Sequence, residues 1–120
     1  MNTPKQGRFK MYLISFYVPE THLQEVKQAL FNKGGGKIGN YDSCAWQTRG
    51  LGQFRPLQGS RPFSGKQAHV NQTEEYKVEM VCTDDLITDI LNELIRVHPY
   101  EEPAYHAVKT FIPPHSGNKQ

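Results

Sequence analysis

With 120 residues the chain is long enough for one packed domain and too short for two. Its 14 basic and 12 acidic side chains leave a net charge of +2, too balanced for the clustered basic footprint of a nucleic-acid or membrane-surface binder. No apolar run approaches the roughly 20 residues of a membrane span, so nucleic acid and membrane are both set aside as partners.

Residues 1–8 and 113–120 are rich in Pro, Gly, Asn, Lys and Gln and are expected to fray, which leaves 9–112 as the domain. The stretch from Phe9 to Val18, FKMYLISFYV, is aromatic and β-branched and predicts a first strand. Ser15 interrupts it and Pro19 ends it, so it does not read as a signal peptide, and the cytoplasm is the default location. Pro19-Glu20-Thr21-His22 opens a helix, with a proline and an acid suited to the first turn. Leu23, Val26 and Leu30 recur at helical spacing, and Gly34-Gly35-Gly36 stops the run.

The middle is harder to divide. Tyr41 to Thr48 has the composition of a strand, and the glycines and prolines from Gly50 to Gly65, with Phe54, Leu57 and Phe63 between them, read as a hairpin excursion and an ordered loop. From Glu74 to Cys82, Tyr76, Val78, Met80 and Cys82 alternate with polar neighbours, the mark of a half-buried strand. Thr83-Asp84-Asp85 offers helix caps. Leu86, Ile87, Ile90, Leu91, Leu94 and Ile95 then form an apolar stripe, and Pro99 ends the helix by His98. Ala104 to Ile112 predicts a closing strand.

The resulting order, βαββαβ, is that of an α+β ferredoxin-like sandwich: one antiparallel sheet with two helices on one face. If Phe9, Met11 and Leu13 face inward, Tyr12, Ile14 and Phe16 face outward. An apolar sheet face left bare in this way predicts self-association.

The connection from Val97 to Tyr105, VHPYEEPAY, concentrates two prolines, two carboxylates, two tyrosines and a histidine in one loop. His98, Glu101, Glu102 and His106 are types that hold zinc or a similar divalent ion. The same residues also suit a structural turn, with His98 at the negative end of the helix and both glutamates solvated. The glycines at 34–36 follow a helix instead of preceding one, so they do not form a phosphate cradle. Arg49, Arg55 and Arg61 alternate with Trp46, Phe54 and Phe63, and fit loop packing and subunit contacts better than base stacking. Cys44 and Cys82 are expected as reduced, half-buried thiols. No nucleophile–base pair and no catalytic residue is recognised, and no cofactor is read from the residues.

Three motifs in order carry a resemblance: GNYDSCAWQT from Gly39 to Thr48, GLGQFRP from Gly50 to Pro56, and HPYEEPAY from His98 to Tyr105. Together they resemble the PII-like insert domain of the YqfO type of dinuclear-metal-centre hexamer proteins, over nearly the whole of 9–112. His98-Pro99-Tyr100 followed by Pro103 is also similar to the divalent-ion-tolerance protein CutA. The resemblance implies a PII/CutA-like fold and assembly, a homotrimer ahead of a dimer. It also implies a ligand cleft near His98, Tyr100, Glu101 and Glu102, and the turn through Tyr105 is expected to bind the ligand, with Tyr105 among its ligand-binding residues. The metal-binding halves that flank the insert have no counterpart in the sequence, so the resemblance brings no metal ligand. The expected function is a non-enzymatic, oligomeric regulatory or small-ligand-binding module, possessing a small ligand or a protein as partner. The alternative is a divalent-metal-binding protein using His98, Glu101, Glu102 and His106.

Overall fold

A computed structural model of the chain describes residues 10–113. Phe9 and nearly all of both tails lie outside the described residues. Within them the chain forms β1 (Met11–Val18), a 3-10 turn (Glu20–His22), α1 (Leu23–Asn32), β2 (Trp46–Phe54), β3 (Asn71–Thr83), α2 (Ile87–Val97) and β4 (Tyr105–Thr110). The sheet order is β2-β3-β1-β4 with every pairing antiparallel. This is the ferredoxin-like α+β arrangement expected from the order of elements.

The face of β1 that meets the helices is the reverse of the one expected. Ile14, Phe16 and Val18 are fully buried, whereas Met11 and Leu13 are half-buried on the other side. The strand is apolar on both faces, so its own alternation cannot choose between them. Its partner decides: Ile14 stands opposite Met80, and Phe16 opposite Val78, on the face where β3 is also buried. Leu23, Val26 and Leu30 of α1 and Ile90 and Leu94 of α2 close the core over these residues. Ile95, at the edge of the α2 stripe, is left exposed. Burying a large aliphatic side chain of this kind stabilises by about 1.5–3 kcal/mol.

The helix ends also differ in part from expectation. Gly34 adopts φ +100° and Gly35 N–H donates to the Leu30 carbonyl at 3.0 Å, which terminates α1 at the glycine run as read from the sequence. Neither Thr83 nor Asp84 caps α2. Leu86 N–H donates to the Thr83 carbonyl at 3.1 Å in a turn, and the helix proper starts at Ile87.

The middle is the largest correction. β2 does not begin at Tyr41, which sits in an isolated bridge with Ile38. It runs from Trp46 through Gly50 and Gly52 to Phe54, so those glycines lie inside a strand and not in a turn. Gly50 stands opposite Glu75 and Phe54 opposite Asn71, beyond the Val18–Tyr76 pair where β1 ends. β2 and β3 therefore continue as a two-stranded arm. Edge position explains why the glycines are tolerated: only one neighbour needs their hydrogen bonds.

Candidate functional site

The arm, the loop that joins its two strands and the turn after α2 converge at one end of the sheet. Between them lies a cleft of about 410 Å³. Its aromatic and aliphatic wall comes from Tyr17, Phe54, Leu57, Phe63 and Tyr100, and its charged groups are Glu75, Glu101, Glu102 and Arg55. That volume falls within the ordinary range for small-molecule sites.

His98 builds the turn from behind. Its side chain is buried, at 6% exposure. Nε2 lies 2.6 Å from the Tyr17 carbonyl oxygen, which only accepts, so Nε2 carries the proton and donates. Nδ1, thereby an acceptor, takes the Tyr100 N–H at 3.1 Å. Burial lowers the imidazole pKa from its ordinary value, partly opposed by the Tyr17 carbonyl and reinforced by nearby His22. The neutral ring thus ties β1 to the turn at both nitrogens and leaves neither one free. Its backbone caps α2, with His98 N–H on the Leu94 carbonyl at 2.9 Å.

Tyr100 carries the turn across to the arm. Its hydroxyl donates to Glu75 Oε2 at 3.0 Å, and its ring is 4.7 Å from that of His98 and 6.0 Å from Phe63, centre to centre. Phe63 meets His22 edge-on at 5.6 Å. Burial, together with the neighbouring Glu75 carboxylate, pushes the Tyr100 phenol well above its usual range, so it remains a neutral donor. Gly52 makes room for this pairing. A Cβ at that position would stand 2.2 Å from Glu75 Oε1, so a side chain there would displace the carboxylate.

The second wall is held by its own hydrogen bonds. Asn71 accepts Lys66 N–H at 3.0 Å and donates to the Lys66 and His69 carbonyls at 3.0 and 2.7 Å. Ala68 N–H donates to the Pro56 carbonyl at 2.7 Å. Arg61 N–H donates to Glu101 Oε1 at 2.8 Å, which joins this loop to the turn.

Of the residues singled out from the sequence, Tyr100, Glu101 and Glu102 line the cleft, and His98 supports it from beneath. Glu101 and Glu102, although adjacent, both line the cleft. Tyr105 packs instead against the core beside the buried residues. His106, opposite Ser15 in the register, lies on the sheet face away from the helices. Among the described residues no three His, Cys, Asp or Glu side chains come together as a metal site. Cys82 is buried and burial raises its thiol to about 11, so it is held as an unreactive thiol; Cys44 is also free. Arg49 pairs with Glu74 on the arm. Sequence reading passed over Tyr17, Phe54, Phe63 and Glu75 as site residues. The interleaved arginines and aromatics were the one signal of that second wall.

No family model matches the chain. A protein of Halalkalibacterium halodurans named GTP cyclohydrolase 1 type 2 homolog is 41% identical over 95 residues, covering 79% of this chain and 26% of the relative. The chain thus spans about a quarter of the length of the curated relatives it matches. Among solved structures, a Bacillus cereus protein related to NIF3 superposes with a TM-score of 0.69 at 32% identity, over 82% of this chain and 25% of that one. CutA from Synechococcus elongatus superposes at 0.64 over 86% of this chain and 79% of its own, with 17% identity, a likeness of fold. By sequence, the chain is similar to a segment of about a quarter of the GTP cyclohydrolase 1 type 2 homologs and of the NIF3-related protein, and by fold it is similar to CutA.

Proposed function

We propose that the chain is a non-enzymatic, self-associating module that binds a small ligand in the cleft between the β2–β3 arm and the His98–Ala104 turn. The observation that carries this reading is the cleft itself: about 410 Å³, walled largely by aromatic and aliphatic residues, with Glu75, Tyr100 and Glu101 of its lining held by hydrogen bonds. Tyr100 is held through Glu75 and His98, and Glu101 through Arg61 N–H. Such pre-organisation is what a binding site needs and a casual surface groove lacks. His98 acts here as a positioning residue. Tyr105 belongs to the fold that carries the site.

Self-association is supported by the sheet face away from the helices. Leu13, Val81 and Val108 lie side by side on it, with Val108 56% and Trp46 68% exposed. The homotrimer implied by the resemblance is the assembly we favour. The setting we infer is the cytoplasm, and among the described residues no helix is long and apolar enough to cross a membrane.

A thermal-shift panel of nucleotides, amines, carboxylates and divalent ions tests the ligand reading. A ligand at a hundredfold excess over its Kd stabilises by about 2.7 kcal/mol. We expect at least one compound to raise the Tm, and the rise to shrink in Phe63→Ala, whose ring is half exposed and whose loss leaves the core intact. A panel with no shift, or a shift equal in Phe63→Ala, contradicts the proposal.

A further inference from the structure

The charges of the cleft restrict what it accepts. Three acidic residues, Glu75, Glu101 and Glu102, and one basic residue, Arg55, stand among the described lining residues. The hydrogen bonds recorded for Glu75 and Glu101 come from neutral donors, the Tyr100 hydroxyl and the Arg61 amide. These donors orient the carboxylates without cancelling their charge, and each carboxylate keeps further acceptor positions. Tyr17, Phe54, Phe63 and Tyr100 supply aromatic rings to the same lining. A ring face is negative and attracts a cation, all the more where water is partly excluded.

The same wall is poor for an anion. A phosphate ligand calls for several Lys or Arg side chains or a cluster of backbone amides at a helix start. Among the described lining residues, Arg55 is the one basic residue against three acidic ones. A bare metal ion is also poorly served, since no cluster of three ligating side chains forms among the described residues.

We therefore propose that the cleft selects a small organic cation, an alkylammonium compound. Its charged head is drawn by the acidic lining residues Glu75, Glu101 and Glu102, and its methyl or methylene groups lie against Phe54, Phe63 and Tyr100. This rests on the cleft being a ligand site, and adds the class of ligand.

The test is an amide-resolved NMR titration of the chain with three probes: tetramethylammonium, neutral tert-butanol and ATP. Tetramethylammonium is expected to move the amides of Phe54, Phe63 and Tyr100 saturably. The Glu101→Gln/Glu102→Gln double variant, isosteric and exposed, is expected to weaken it about tenfold, the size of one cation–aromatic or partly exposed ionic contact. Added salt is expected to weaken it further. Engagement of those amides by tert-butanol or ATP as tightly as by tetramethylammonium overturns the cationic selectivity and leaves the ligand-site reading standing. Unchanged binding of tetramethylammonium in the double variant also overturns it. Silence of the cleft amides toward all three probes overturns both.

Discussion

His98 shows how one residue can be important to a site without touching what the site binds. Both ring nitrogens are used inside the protein, by the Tyr17 carbonyl and the Tyr100 amide. Its depressed pKa means that the unfolded chain takes up a proton more readily than the fold does. Stability is therefore fully present above the ordinary imidazole value of 6.5 and is lost as pH falls below it. We expect the Tm to decline between pH 7 and pH 5, and the decline to flatten in His98→Asn, which itself lowers the Tm at pH 8. Equal slopes in both proteins would remove His98 from this role. Tyr100→Phe keeps the ring and loses only the hydroxyl donated to Glu75. Its expected cost is about 1 kcal/mol, the worth of one partly buried hydrogen bond, read from denaturant unfolding.

At the level of elements, the arm made of β2 and β3 is what turns a plain ferredoxin-like sheet into a cleft. At Gly52 the Glu75 carboxylate occupies the space a side chain would take. Gly52→Val is expected to expel the Glu75 carboxylate, break its bond to Tyr100 and lower the Tm. A Tm equal to wild type, with the Tyr100 hydroxyl still bonded, would contradict that reading. The arm is also where sequence reasoning stopped short. Tyr76, Val78, Met80 and Cys82 announced β3 through strict alternation, and α1 and α2 announced themselves through helical spacing and the stops at Gly34 and Pro99. β2 carries Gly50 and Gly52, which local propensity reads as turn, and only pairing with β3 makes them strand. β1 was visible as a strand, but its buried face was not, because both faces are apolar and the choice belongs to Val78 and Met80 across the ladder. The cleft was half legible for the same reason. Tyr100, Glu101 and Glu102 stand in one motif, whereas Tyr17, Phe54, Phe63 and Glu75 reach the site through long-range pairing that no local pattern encodes.

For the whole molecule, two surfaces matter: the cleft at the end of the sheet and the sheet face away from the helices. Leu13 and Val108 pair across β1 and β4 on that face, and charge placed there would oppose a second copy. Light scattering at micromolar concentration is expected to give an oligomer for the wild type and a monomer for Leu13→Asp/Val108→Asp, while a monomeric wild type would contradict the assembly. The central claim is the cleft, and hydrogen exchange read by mass spectrometry tests it most directly. The chain would be compared with and without tetramethylammonium at saturating concentration. Our account expects slower exchange in the segments around Phe54, Phe63 and Tyr100 and no change around Val81 and Val108 on the open face. Unchanged exchange in those segments, or protection confined to β1 and β4, would contradict it.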